Sequence, residues 1–109
     1  MIQSTASFKD NLQQLPSIDG LARIELADAS GAVVATIENA PGKQGSLAVY
    51  QYLKQVFSTL HAEAAAHGME VFGEHTADAK ARPGAHPNID RLIAIVEGGE
   101  PLSINTVVA

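Results

Sequence analysis

The fold is decided by residues 46–67, whose sequence is SLAVYQYLKQVFSTLHAEAAAH. Apolar side chains recur in this stretch at spacings of three and four residues, and polar side chains fall on the opposite side, so the stretch predicts one long amphipathic helix. Ser46 is a good N-cap residue, and Gly68 can end the helix in a left-handed conformation. The apolar stripe needs a cover, and most other segments have the patterns of strands. We therefore expect a sheet that packs against this helix.

Length and composition bound the class of protein. A chain of 109 residues forms one domain with a core of moderate size. Its net charge of −5 argues against general binding to nucleic acid or to an anionic membrane surface. It contains no cysteine, which excludes cysteine-ligated metal sites and thiolate catalysis. With no secretory signal at the start and no apolar run of roughly 20 residues, the expected compartment is the cytoplasm.

The first half of the chain predicts a short helix and a hairpin. Residues 1–6 are expected to form a flexible tail, and residues 7–109 a single α+β domain. Ser7 caps the short helix, which Pro16 ends. Two alternating segments, 21–27 and 33–38, are joined by a turn that contains Gly31, and they predict two antiparallel strands.

The second half contains one segment with two interpretations. Met69–Glu74 holds two large apolar residues and predicts a third strand, and His75–Pro87 is a long polar connection. Asn88 can cap a helix over 89–97, where apolar residues recur at helical spacing. A strand is the alternative there, because the segment is rich in β-formers and two glycines follow it. Leu102–Val108 predicts the last strand.

The order of elements, α-β-β-α-β-α-β, predicts an α+β fold. Helical crossovers usually connect parallel strands, so we expect a two-layer sandwich whose four-stranded mixed sheet carries helix 46–67 on one face. The other face would meet solvent or a partner, and it would carry Arg23, Glu25, Thr36 and Glu38, or their neighbours in the chain.

Parallel strands would also bring the loops 39–46 and 75–91, here called the rim, to one edge of the sheet. Helix N-termini at such an edge favour anions. We therefore hypothesise a small cytosolic binding module that recognises an anionic small molecule or a partner at the rim. The alternative is ordinary solvated loop charges. A nucleotide-binding P-loop is not indicated, because no Ser or Thr directly follows the lysine. The candidate ligand-binding residues are Lys43, Gln44, Ser46, Lys80, Arg82, Asn88 and Arg91.

Two histidines of the rim support a second hypothesis. Histidine is suited to acid–base catalysis near neutral pH, so His75 and His86 are the catalytic candidates of a small enzyme. Together with Asp78 and Asp90 they also form a candidate metal set of two histidines and carboxylates, although no zinc-protease spacing is present. Exposed histidines without a role are the alternative. A third hypothesis is a structural or adaptor homodimer formed through the open sheet face.

Three segments of the rim resemble a known family. They are Pro41–Lys43, Gly45–Leu47 and Arg82–Asp90, the last with the sequence RPGAHPNID. They are similar to a family of short bacterial proteins known only as a domain of unknown function, and the similarity extends from Phe8 onward. The resemblance implies a bacterial cytosolic protein of one domain. It implies no activity, cofactor or site residue.

Overall fold

The computed structural model describes residues 1–109 and contains five helices and four strands. The α+β class and the order α-β-β-α-β-α-β are confirmed, with three consecutive helices at the place of the last predicted one. In chain order the elements are α1 (Phe8–Leu12), β1 (Leu21–Ala27), β2 (Val33–Glu38), α2 (Gln44–Phe57), β3 (Thr59–Leu60), α3 (Ala62–Val71), α4 (Glu74–Ala81), α5 (Pro87–Val96) and β4 (Leu102–Val108).

The sheet has four strands, as predicted, but it is not mixed. Its strand order is β2-β1-β4-β3, and every neighbouring pair is antiparallel. The prediction of parallel strands was wrong because it rested on Met69–Glu74 as the third strand. The third strand is instead the two-residue β3, and three helices then lead back to β4, which lies between β1 and β3.

The predicted helix 46–67 is two helices with a strand between them. Ser58, which follows α2, has a φ of 67° and is the only residue other than glycine with a positive φ. Leu60 then enters the sheet, where its side chain is fully buried. Ser58 and Thr59 are weak helix formers, which accounts for the break at this point. The apolar spacing continues across the break because α2 and α3 contribute to the same core.

Residues 69–74 form no strand, since Phe72 and Gly73 make the turn between two helices. Val71 is the last residue of α3, and Glu74 is the first residue of α4. Val71 and Phe72 are both buried, as predicted, but helix packing buries them, and a short apolar run does not distinguish the two cases. Gly68, predicted to end a helix, lies within α3. A Cβ atom there would lie 2.9 Å from the side chains of Leu53 and Leu92, so glycine lets α3 approach its neighbours closely.

The core lies between one face of the sheet and helices α2, α3 and α5. The segment from Pro87 to Val96 forms α5, so the helical interpretation of this region is confirmed over the strand. None of the helices has the length and hydrophobicity that a membrane span requires. The fully buried large side chains include Ile24, Leu26, Ile37 and Ile104 from the sheet and Leu47, Tyr50, Leu53 and Leu92 from the helices.

The opposite face of the sheet carries the predicted polar side chains, beside the exposed Val34. Arg23 and Glu25 form an ion pair of 2.9 Å on it, and Thr36 and Glu38 are exposed. One polar face is usual for an antiparallel sheet that packs helices on one side only. Self-association through this face stays a prediction.

Residues 1–6, predicted to form a flexible tail, lie against the domain. The amide of Ile2 donates to the hydroxyl of Tyr52 at 3.0 Å, and the amide of Thr5 donates to Oδ1 of Asn11 at 2.8 Å. Asn11 is fully buried, and its Nδ2 donates to the carbonyl oxygens of Thr5 and Val71. This segment therefore holds α1 against α3.

Candidate functional site

A cleft of about 620 Å³ opens where the first turns of α2 and α5 come together. Its size lies within the range of ~300–1,000 Å³ that is usual for small-molecule sites. The two rim loops meet in this cleft, since residues 42–46 line it from one side and residues 85–89 from another. His75 on α4 and the aromatic side chains of Phe8 and Phe72 complete the lining, together with Leu12.

The two rim loops are brought together by a buried tyrosine and not by parallel strands. The hydroxyl of Tyr50, on α2, donates to the carbonyl oxygen of Asn88, in the first turn of α5, at 2.5 Å. Nη1 of Arg91 donates to the same hydroxyl at 3.1 Å and to Oδ1 of Asn88 at 2.9 Å. Burial raises the pKa of Tyr50 to about 12, so its hydroxyl keeps the proton that it donates. These bonds hold the start of α5 against α2.

The start of α2 carries positive charge without a compensating acid. Lys43 is the N-cap residue, no side chain caps the helix, and the first turn contains no acidic residue. Each of the other four helices has Asp or Glu in its first turn. The unbonded amides of a helix start carry partial positive charge, and the Lys43 ammonium adds a full one. Gln44 steadies the preceding loop, since its Nε2 donates to Oδ1 of Asn39 at 2.9 Å.

A carboxylate orients the imidazole of His86. Asp78, on α4, bonds to Nε of Arg82 at 2.9 Å and to Nε2 of His86 at 2.6 Å. The hydrogen bond from Arg82, followed by that from His86, holds the pKa of Asp78 far below its ordinary value, so this carboxyl is ionised. An ionised carboxylate only accepts hydrogen bonds, so Nε2 of His86 carries the proton and Nδ1 is bare in the neutral ring. Although His86 is the N-cap residue of α5, its side chain does not cap that helix.

Four aromatic rings form a continuous row along the cleft, in the order Phe72, Phe8, His75 and His86. Successive ring centroids are 5.3, 5.2 and 5.8 Å apart. The ring of Phe8 also lies against the first turn of α2, since a Cβ atom on Gly45 would lie 3.2 Å from two of its carbons. The aromatic row thus extends from the start of α2 to the pair formed by Asp78 and His86.

The predicted ligand-binding residues divide into two groups. Four of them line the cleft, namely Lys43, Gln44, Ser46 and Asn88. The other three do not: Lys80 lines a separate groove beside the N-terminal segment, and Arg82 and Arg91 are engaged with Asp78 and with Tyr50.

The predicted metal set does not come together. The structure contains no group of three or more histidine or acidic side chains that is arranged to hold a metal ion. Of the four candidates, His75 and His86 line the cleft, but Asp78 is occupied by His86 and Arg82. Oδ2 of Asp90 accepts from the amide of Gly84 at 2.9 Å.

Sequence reasoning missed the aromatic row and the role of Tyr50. Phe8 and Tyr50 have core-like spacing, which does not distinguish a buried side chain from one at a cleft. The spacing of Asp78 and Arg82 is a sequence signal for a helix in this segment. Opposite charges four residues apart indicate a helix, and a helix there would have moved Asp78 away from a metal-binding loop.

Comparison with known proteins assigns the chain to a family. The model of the family described as uncharacterized proteins conserved in bacteria, DUF2322, matches residues 8–106. This is most of the chain, so the chain belongs to that family, and the resemblance seen in the rim segments is confirmed. No curated protein and no solved structure matches the chain.

Proposed function

Because membership of an uncharacterized family assigns no activity, we propose from the cleft that this protein binds a small anionic molecule. The observation that carries the proposal is the start of α2, where Lys43 and a first turn without a cap or an acidic residue line a cavity large enough for a ligand. Helix starts and lysines attract anions. The proposal takes the cytoplasm as the compartment of the protein.

The distribution of charge supports binding of an anion at the cleft rather than attraction of anions to the whole surface. The whole chain has a net charge of −5, so an anion gains nothing from the overall field. Lys43 is the only lysine or arginine that lines the cleft. Polar groups of Ser46, Asn88 and His86 line the same cavity and can donate to or accept from a bound molecule.

Thermal unfolding with a panel of phosphates, nucleotides and small carboxylates tests anion binding. A ligand at a hundred times its dissociation constant adds ~2.7 kcal/mol to the free energy of unfolding. In a domain of this size that raises the melting temperature by several degrees. The Lys43→Gln variant should lose most of this shift. Lys80→Gln is the matched control, because it removes the same charge from a different groove.

General salt effects need separation from site binding. Sulfate and phosphate stabilise proteins by exclusion from the surface, and this effect does not depend on one lysine. Binding at the cleft should instead saturate and weaken with added sodium chloride. If every anion gives equal shifts in wild type, Lys43→Gln and Lys80→Gln, the start of α2 is only solvated surface and the proposal is wrong.

A small acid–base enzyme is the second candidate, and the 2.6 Å hydrogen bond between Asp78 and His86 favours it. In ester hydrolysis, water would attack the phosphorus or carbonyl carbon while one of its protons passes to Nδ1 of His86. The ester bond would then break, and the leaving oxygen would take that proton back from His86, so that the alcohol or phenol departs and the ring is neutral again. Release of nitrophenol from its phosphate and acetate esters measures this reaction. His86→Gln should abolish the release and His61→Gln should not. Equal rates in the two variants, or rates no higher than in buffer, would exclude this candidate.

A further inference from the structure

The cleft has an aromatic side that an inorganic anion would not use. Phe8 and His75 line the cavity next to the first turn of α2, and Phe8 is only half-buried. Phosphate or sulfate has no apolar surface to place against these rings. The volume of about 620 Å³ is also that of a site for an organic molecule.

We propose that the ligand of the cleft is an organic anion with a flat apolar group, of the aryl phosphate or aromatic carboxylate class. This inference rests on the proposed anion binding. The anionic group lies at Lys43 and the first turn of α2, and the flat group lies against the rings of Phe8 and His75. The contact between Gly45 and Phe8 puts the two subsites next to each other, so one small molecule spans both.

The position of Phe8 is fixed by its surroundings. Its amide donates to Oε1 of Glu74 at 2.9 Å, and its ring stacks on Phe72 with an angle of 25° between the ring planes. The His75 ring meets it edge to face, at 79°. Aromatic rings favour both arrangements. A surface that is already ordered loses little entropy when a ligand packs against it, which favours binding.

The inference predicts a preference between matched ligands. Phenyl phosphate and methyl phosphate carry the same anionic group, as do benzoate and acetate, and only the first of each pair carries a ring. A tenfold difference in affinity corresponds to about 1.4 kcal/mol, or roughly 55 Å² of apolar surface removed from water. One face of a phenyl ring on Phe8 supplies an area of that order. We therefore expect the aryl member of at least one pair to bind about tenfold more tightly.

Isothermal titration calorimetry with the wild-type chain and two variants tests the preference. Phe8→Leu keeps an apolar side chain but removes the ring, so the advantage of the aryl ligand should fall while the affinity for methyl phosphate stays. Phe57→Leu is the matched control, since Phe57 contacts His61 and His67 and does not line the cleft. Equal affinities for aryl and methyl ligands in wild type would overturn the inference and leave anion binding intact. If none of the four ligands binds, anion binding fails as well.

A second measurement needs no variant. Proton nuclear Overhauser effects in the wild-type protein should connect the phenyl protons of bound phenyl phosphate to the rings of Phe8 and His75. The amide signals of Gln44 and Gly45 should shift in the same titration. Overhauser effects to other side chains, with none to Phe8 or His75, would overturn the inference even if phenyl phosphate binds.

Discussion

The start of α3 and the cleft are built from similar parts but differ in what those parts do. His61 and His86 are both N-cap residues. Nδ1 of His61 accepts from the amide of Ala64 at 3.1 Å, and Glu63 supplies an acidic side chain to the same turn. The ring of His86 is bonded to Asp78 instead. A hydrogen bond to an ionised carboxylate is stronger than one to a neutral amide, so the neighbouring acid decides whether the histidine caps its helix.

The start of α3 is thus closed by residues of its own turn, whereas the start of α2 has neither a side-chain cap nor an acidic residue. At the start of α3, Nδ1 of His61 accepts from a free amide and Glu63 places a negative charge near the positive end of the helix dipole. At the start of α2 no side chain caps the free amides and the first turn has no acidic residue, and the ammonium group of Lys43 adds positive charge to that of the helix dipole.

The largest difference in stability is expected between variants of the two residues that directly precede these histidines. Leu60, before His61, is fully buried, whereas Ala85, before His86, is exposed. Leu60→Ala should lower the free energy of unfolding by about 2–5 kcal/mol, because it leaves a cavity in the core. Ala85→Ser should change it by less than about 0.5 kcal/mol. Urea unfolding measures both, and similar losses at the two positions would contradict the contrast.

Removal of one hydroxyl should separate the cleft from the N-terminal segment. Tyr50→Phe removes the hydroxyl that donates to the carbonyl oxygen of Asn88 and accepts from Arg91, and we expect a loss of about 1–3 kcal/mol in the free energy of unfolding. Tyr52→Phe is the control, because its hydroxyl bonds only to His67, whose pKa is lowered by burial, and to the amide of Ile2, and has no charged partner. A smaller loss is expected there. An equal or larger loss for Tyr52→Phe would mean that Tyr50 does not hold α5 in place.

Removal of the two histidine side chains should cost more stability at the start of α3 than at the cleft. His61→Ala removes a helix cap and should cost about 0.5–2 kcal/mol of stability. His86→Ala breaks a partly exposed pair with Asp78 and should cost less than about 1 kcal/mol. Chemical denaturation of both variants at neutral pH gives the comparison. A greater loss of stability in His86→Ala than in His61→Ala would show that the cleft histidine is structural.

Acid should remove the smallest contribution, that of Asp78. Its pKa is lowered from 3.8 in the folded state by Arg82 and then by His86, so ionised Asp78 stabilises the fold at neutral pH. The contribution is fully present above the ordinary pKa and is lost as the pH falls below it toward the lowered value. The difference in urea midpoint between wild type and Asp78→Asn should therefore shrink as the pH falls below about 4. If the difference in urea midpoint instead grew below about pH 4, ionised Asp78 would not stabilise the fold through Arg82 and His86.

Strands were predictable where alternation is long and the turns are clear. The segments 21–27, 33–38 and 102–108 were all predicted as strands and are strands in the structure, where more and less buried residues alternate along part of each. The two-residue β3 is too short to carry a period. The break at Ser58 was hidden because the helical spacing of apolar residues continues through it.

The candidate site was partly predictable, but for a reason that proved wrong. The rim loops do meet, and Lys43, His75 and His86 line one cleft. They meet because Tyr50 bonds to Asn88. These residues are 38 positions apart in the chain, so patterns within a single helix do not predict the contact. Pairings of this kind depend on how helices pack, which the spacing of residues within each helix does not specify.

Backbone NMR during a titration with methyl phosphate compares the starts of α2 and α3 in one experiment. We expect the amide signals of Gln44, Gly45 and Ser46 to shift together and to saturate with one dissociation constant, and Lys43→Gln to abolish these shifts. The amide signals of Ala62–Ala64, at the start that His61 and Glu63 close, should not move. Equal, non-saturating shifts at both helix starts, or no shift at α2, would contradict the account.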